Sequence, residues 1–215
     1  IFKYVLEGAS ELHFESKHLV KFGKKFNSNS SWLPNVRNKV NNDFQSNHYR
    51  RKFLFLSHVS KEKGIEELLL TFKDLDQSYS LSIYGPCFDV NTEDLNSSNI
   101  QYFGSVDHSQ VIEIIAQHDV VVLPTKRVDE GYPGIVIEAF SVGRPVIVSK
   151  IGGISEIVYD QENGILIEPG NHHQLKEAIL FFNDDNYAKM CKNSYNSFSL
   201  FESGNVYNTL SSKLV

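Results

Sequence analysis

Long apolar runs are missing from this 215-residue sequence. The longest, such as Val120-Val121-Val122-Leu123, are strand-sized and far short of the ~20 apolar residues a membrane-spanning helix needs. Cysteine is scarce. Cys87 and Cys191 are too few and too far apart for a disulfide framework, and they offer no zinc-ligand spacing. A reducing cytoplasm is the natural compartment, and the sequons Asn29-Ser30-Ser31 and Asn96-Ser97-Ser98 are then chance matches. Positive charge is not in excess either. A formal net charge of -5 excludes a general affinity for nucleic acid or anionic membrane, so an anionic ligand must be held by a local site. No signal peptide is present, and the chain starts at Ile1 instead of Met, which leads us to expect a piece of a longer protein. A hydrophobic content of 41% and an aromatic content of 12% are ample for a buried core, and nothing suggests disorder.

From about residue 53 onward, apolar strand-like runs alternate with amphipathic segments of helix length. Phe53-Leu54-Phe55-Leu56 reads as a buried strand, and Ile65, Leu68, Leu69 and Phe72 then share one helical face. Further strands are expected at residues 79–84, 100–103, 120–123, 146–148 and 165–167. Helices are expected around Val111, Ile112 and Ile115, over residues 137–142, and from Asn171, an N-cap with Gln174 three residues on. Continuous Val/Ile/Leu strands in β-α-β-α order predict a parallel sheet covered on both faces. The fold class is therefore α/β, a Rossmann-like doubly wound sheet, whose ligands bind beyond the carboxyl ends of the strands. Residues 12–14, 17–26 and 31–33 read as strand, helix and strand, too few for a domain. Residues 187–198 and 204–214 read as terminal helices.

The most informative stretch is Leu123-Pro124-Thr125-Lys126-Arg127-Val128-Asp129-Glu130-Gly131-Tyr132-Pro133-Gly134-Ile135-Val136-Ile137-Glu138-Ala139. A strand ends, a Gly/Pro loop follows, and a helix begins near Pro133, where a first-turn proline loses no hydrogen bond. Gly131 and Gly134 let backbone approach a ligand without a Cβ in the way. Unpaired N–H groups at the loop and helix start favour an anion such as a diphosphate. Glu130 and Glu138, with seven residues between them, suit the vicinal hydroxyls of sugars. A second element is Ser57-His58-Val59-Ser60-Lys61-Glu62-Lys63-Gly64, where Lys63-Gly64 at a helix start adds positive charge for a diphosphate. The third is Gly143-Arg144-Pro145-Val146-Ile147-Val148-Ser149-Lys150-Ile151-Gly152-Gly153-Ile154-Ser155-Glu156, a strand, a Gly-Gly turn and a helix, read as another backbone-rich surface on the same edge. The remaining histidines read blandly. His172-His173 falls in a first helical turn, exposed, and His118 ends a helix, where a cation suits the dipole.

In this order and at these spacings the three elements resemble family 4 glycosyltransferases of the GT-B fold. The family's E-x7-E motif is similar to Glu130 through Glu138, and its Lys-Gly diphosphate element to Lys63-Gly64. Its Gly-x-Pro-x-Ile strand and Gly-Gly-x-x-Glu turn are similar to Gly143, Pro145, Gly152, Gly153 and Glu156. The resemblance covers roughly residues 53–182. It implies that Glu138 binds the donor ribose hydroxyls, that Glu130 lies near the transferred sugar as the catalytic residue, and that Lys63 and Gly64 hold the diphosphate. Backbone from Gly131 and Tyr132 through Pro133, Gly134 and Ile135 to Val136 would cradle phosphate and sugar. No metal and no cofactor is implied. The family commonly has Arg where this chain has His58, which in its neutral form offers at most one donor; either His58 binds as a cation or Lys63 and the loop carry the load, and its role at the donor site stays open.

The resemblance implies a retaining glycosyltransferase that moves a hexosyl group from a nucleotide-diphosphate sugar to a hydroxyl acceptor, carbohydrate or lipid-linked, in polysaccharide or glycolipid synthesis. Residues 1–36 would be a remnant of an N-terminal domain with its junction, 37–52 a linker, 53–200 the nucleotide-sugar-binding domain, and 201–215 a C-terminal helix. The chain alone is then expected to be catalytically incomplete, cytoplasmic, and able to meet the inner membrane face only through the missing domain. The alternatives are a sugar-nucleotide 2-epimerase of the same fold and a non-catalytic nucleotide-sugar-binding module.

Overall fold

A computed structural model describes residues 2–40 and 48–211. The chain opens with a helix absent from the sequence reading, α1 (Phe2–Gly8), followed by β1 (Leu12–Phe14), α2 (Lys17–Gly23) and β2 (Ser30–Trp32). β1 and β2 pair in parallel, with Phe14 opposite Trp32, and α2 crosses between them. This helix stops at Gly23, short of the expected residue 26. A Cβ on Gly23 would stand 2.1 Å from the Phe14 ring.

The main body is a six-stranded, wholly parallel sheet. In chain order it runs β3 (Lys52–Leu56), α3 (Ile65–Lys73), β4 (Ser80–Tyr84), β5 (Ile100–Tyr102), α4 (Val111–Ala116), β6 (Val120–Leu123), α5 (Gly134–Ser141), β7 (Val146–Ser149) and β8 (Gly164–Ile167). Three helices follow: α6 (His172–Phe181), α7 (Asp184–Ser197) and α8 (Ser203–Ser211). Residues 41–47 of the expected linker and 212–214 of the expected last helix lie outside the described residues.

The strands lie in the order β5-β4-β3-β6-β7-β8. Counted from β3, that is the 3-2-1-4-5-6 arrangement of doubly wound sheets, whose direction reverses between the first and fourth strands. The interior strands β6 and β7 are buried at every position, as strands covered on both faces must be. α3 packs with α6, and α5 packs with α4 and α7, so helices form two layers around the sheet. On α3 the expected face of Ile65, Leu68, Leu69 and Phe72 is buried, and the Phe72 ring meets Phe53 edge-on at 5.5 Å.

One buried carboxylate ties the two halves of the sheet together. Asp119, fully buried, precedes β6 and accepts the backbone N–H groups of Arg50 (2.8 Å) and Lys52 (2.9 Å). It also accepts Nε and Nη2 of Arg50. The start of β3 is thereby registered against the start of β6.

The structure corrects several expectations. The segment after the Gly-Gly turn is a 3-10 turn over Gly152–Glu156, not an α-helix. Pro133 caps α5 in an extended conformation instead of entering its first turn. Asn171 does cap α6, but the side chain of Gln174 turns to the Glu168 N–H instead of completing a capping box. His172 is half-buried, with its ring 4.1 Å from that of His173.

His118 is not a cation at a helix end. It is buried, and its Nδ1–H donates to the Ile114 carbonyl at 2.7 Å. Burial holds its pKa below the ordinary imidazole value, because a charged ring would lose its hydration. The unfolded chain takes up this proton near pH 6.5 while the folded chain resists it. Stability from this group is therefore complete above about pH 6.5 and falls as the pH drops toward the folded-state pKa. Urea denaturation at pH 7.5 and 5.5 should show the loss, and His118→Gln should flatten that part of it. An unchanged pH dependence in the variant would contradict the assignment.

Candidate functional site

At the reversal point the loops after β3 and β6 part and leave a cleft of about 510 Å³. Of the residues singled out in the sequence, His58, Lys63, Glu130, Pro133, Gly134, Ile135 and Glu138 line it together. Gly64, Gly131, Tyr132 and Val136 do not.

Gly64 shows why. It caps α3 with φ of +81°, and a Cβ there would stand 2.1 Å from the Pro124 carbonyl oxygen. Glycine is needed because the end of β6 passes close by, in a backbone region that suits few other residues. The N–H groups of Lys63, Gly64 and Ile65 turn back onto the carbonyls of Ser60 and Lys61. What this element offers the cleft is therefore the Lys63 ammonium, not the free N–H groups anticipated. That ammonium donates to Glu130 Oε2 at 2.5 Å, which also accepts the Thr125 hydroxyl at 3.2 Å. Lys63 and Glu130 are only 12% and 14% exposed at the side chain, so water screens the pair little.

At the start of α5 the Val136 N–H is taken by the Pro133 carbonyl. Gly134 and Ile135 have no protein acceptor for their N–H groups among the described residues. Two donors at a positive helix end thus face the cleft. Glu138, one turn further, is 6% exposed, and its Oε1 accepts Arg37 Nε at 2.8 Å. Arg37 was assigned to a linker from the sequence, and the structure puts it in the cleft wall. No local pattern marks it, because its partner lies 101 residues away.

Gly134 lines the cleft, whereas Gly131 and the Gly152-Gly153 turn pack against other parts of the chain. A Cβ on Gly131 would stand 1.7 Å from Glu15 Oε1. A Cβ on Gly152, at φ of +50°, would stand 2.2 Å from the Glu130 carbonyl oxygen, and that carbonyl accepts the Gly153 N–H at 2.9 Å. The Gly-Gly turn thus buttresses the Glu130 loop from behind. Glu156 closes the same support. It accepts the N–H groups of Lys17 (2.8 Å) and His18 (2.7 Å) at the start of α2, and the Tyr132 hydroxyl at 2.7 Å. Burial and the Glu156 carboxylate both push the Tyr132 phenol well above its usual range, so it remains a donor. His58 is exposed at the cleft edge, its ring 4.9 Å from Phe88. An Asp-x-Asp string, Asp74-Leu75-Asp76, follows the other end of α3, where Asp76 accepts the Ser78 N–H.

A family model described as glycosyl transferases group 1 matches residues 36–197. The chain belongs to this family. Among relatives, the uncharacterized glycosyltransferase MJ1178 of Methanocaldococcus jannaschii is 28% identical over 169 residues, which cover 76% of this chain and 48% of that protein. The N,N'-diacetylbacillosaminyl-diphospho-undecaprenol alpha-1,3-N-acetylgalactosaminyltransferase of Campylobacter jejuni is 30% identical over 101 residues, 47% of this chain and 26% of that one. The chain thus spans about half or less of the length of these relatives. Among solved structures, Anabaena HepE in complex with UDP superposes with a TM-score of 0.81 at 16% identity, covering 96% of this chain and 64% of that one. At such identity the likeness concerns the fold, and it bears out the doubly wound α/β class. No helix among the described residues is long and apolar enough to cross a membrane.

Proposed function

We propose that this group 1 chain is the donor-binding part of a retaining glycosyltransferase that moves a hexosyl group from a nucleotide-diphosphate sugar to a hydroxyl. The observation that carries the reading is the convergence, at the reversal point of the sheet, of Lys63, two unpaired helix-start N–H groups and the carboxylates Glu130 and Glu138. The diphosphate would lie against Lys63 and the N–H groups of Gly134 and Ile135. Glu138 would accept the ribose hydroxyls, and Glu130 would lie near the transferred sugar. The bond from the anomeric carbon to the diphosphate oxygen would break as one to the acceptor oxygen forms, the acceptor's proton passing to the departing diphosphate, and the positive groups would stabilise the charge that develops on the leaving oxygen. The UDP held by HepE supports a uridine nucleotide as the first ligand to try. The C. jejuni relative, whose name specifies a diphospho-undecaprenol substrate, supports a lipid-linked acceptor in polysaccharide or glycolipid synthesis. Such an acceptor would be met in the cytoplasm at the inner membrane face, through parts of the protein outside this chain. No metal enters the reading.

A thermal-shift screen of nucleoside diphosphates tests it. A ligand at a hundred times its Kd should add about 2.7 kcal/mol of stability. A screen of UDP, GDP, ADP and CDP that leaves the melting temperature unmoved would contradict the reading.

Glu130→Gln is expected to act in an instructive direction. Glu130 accepts the Lys63 ammonium and so competes with any phosphate for it. Neutralising it should tighten UDP binding by about 1 kcal/mol, roughly fivefold, as a like charge is removed from a poorly screened site. Weaker binding, read by calorimetry, would show that Glu130 does not oppose the diphosphate.

A further inference from the structure

We infer that Arg37 is itself a diphosphate ligand, as well as the anchor of Glu138; the inference rests on the donor-site reading above. The guanidinium is held on two sides. Nε donates to Glu138 Oε1 at 2.8 Å, and Nη1 donates to Asn35 Oδ1 (2.7 Å) and to the Val36 carbonyl (3.0 Å). Nη2 has no protein acceptor among the described residues, although the side chain is only 27% exposed. Arginine carries five N–H donors in a rigid fork. Fixing Nε and Nη1 therefore aims the two Nη2 hydrogens in a set direction.

The surroundings identify that direction. Nη2 stands 2.4 Å from where a Cβ on Gly134 would be, against the residue that begins α5 with an unpaired N–H. A phosphate oxygen received by Gly134 and Ile135 would enter beside Nη2. Lys63, in the wall of the same cleft, supplies a second cation. Glycine at 134 is explained by this seat, since a methyl group there would displace the guanidinium. The backbone of Arg37 is pinned as firmly. Its N–H donates to the Phe201 carbonyl at 2.9 Å, and its carbonyl accepts the Ser203 N–H at 2.9 Å. The cation therefore sits where it is needed before any ligand arrives, which lowers the cost of ordering it on binding.

Glu138 alone would not require this arrangement. A carboxylate receiving ribose hydroxyls needs one partner to orient it, and Nε supplies that. The planar fork can serve the carboxylate and a phosphate at once, whereas a lysine ammonium is a point donor.

Inorganic pyrophosphate, which has no ribose, separates the two roles. Calorimetric titration of UDP gives its Kd for each protein, and displacement of UDP by pyrophosphate gives the second constant. Arg37→Ala should weaken pyrophosphate by about tenfold or more, the scale of a lost charge-assisted hydrogen bond. Arg37→Lys should fall between the two, and melting curves without ligand should show both variants folded. Glu138→Ala removes a nearby anion but also releases Nε, so it should change pyrophosphate binding less than Arg37→Ala does. Wild-type affinity for pyrophosphate in Arg37→Ala, or failure of pyrophosphate to displace UDP from the wild type, would overturn the inference and leave the donor reading standing. Absence of UDP binding to the wild type would overturn both.

Discussion

Asp119→Ala is expected to be the most destabilising single substitution considered for this protein, at about 3 kcal/mol. Removing one partner of a buried ion pair costs on the order of 3–5 kcal/mol. The lower end applies here because the Arg50 side chain is 37% exposed and water recovers part of its loss. The backbone N–H groups of Arg50 and Lys52 also lose their acceptor, since both donate to Asp119 Oδ2. At about 2–4 °C per kcal/mol for a chain of this size, the melting temperature should fall by about 6–12 °C. Asp119→Asn retains one carbonyl acceptor and should lose roughly half as much. Equal and small losses for the two variants in calorimetric melting would show that this carboxylate does not register the sheet.

Lys63→Ala should weaken UDP binding by about 1.5–3 kcal/mol, on the order of 10- to 150-fold, the range for a hydrogen bond to a charged group. Two effects act in the same direction. The ammonium that meets the diphosphate is lost, and Glu130, no longer paired with it, turns an uncompensated negative charge toward the ligand. Adding Glu130→Gln to Lys63→Ala should therefore restore part of the affinity, a coupling that a double-mutant cycle reads directly. Uridine, with no phosphate, should bind the wild type and Lys63→Ala alike. A similar loss for uridine and UDP would remove Lys63 from the diphosphate site.

Much of the architecture is legible in the sequence because burial on both faces leaves a strong local signature. Val120-Val121-Val122-Leu123 and Val146-Ile147-Val148 admit little except central parallel strands. The face of α3 follows from four apolar residues at helical spacing. The cleft was legible for a related reason: Lys63 and Glu130 lie in the loops that follow strands, and Glu138 in the first turns of the helix after one, where a doubly wound sheet places its ligands.

Glycine was harder to read. A missing Cβ shows that some atom comes close, but not which one. At Gly131 it is Glu15, at Gly134 it is Arg37, and at Gly152 it is the Glu130 carbonyl. Arg37 lies among asparagines, arginines and lysines that read as a linker, and it is fixed by the return of residues 201–203 and by Glu138, both distant in the chain. In the sequence Glu156 is part of a motif and carries no assigned role. Its task, capping α2 and holding the Tyr132 hydroxyl, depends on residues from two distant parts of the chain. His118 misled for the same reason: its position at a helix end was local information, and its burial was not.

The central claim is that one cleft seats a nucleoside diphosphate with its ribose on Glu138. It is tested most directly by titrating UDP and 2′-deoxy-UDP into the wild type and Glu138→Ala. A carboxylate that accepts the 2′-hydroxyl should favour UDP by about tenfold, the scale of one net hydrogen bond. Glu138→Ala should bind the two nucleotides equally, because the discriminating acceptor is gone. Equal binding of both by the wild type, or a ribose preference that survives in Glu138→Ala, would contradict the account.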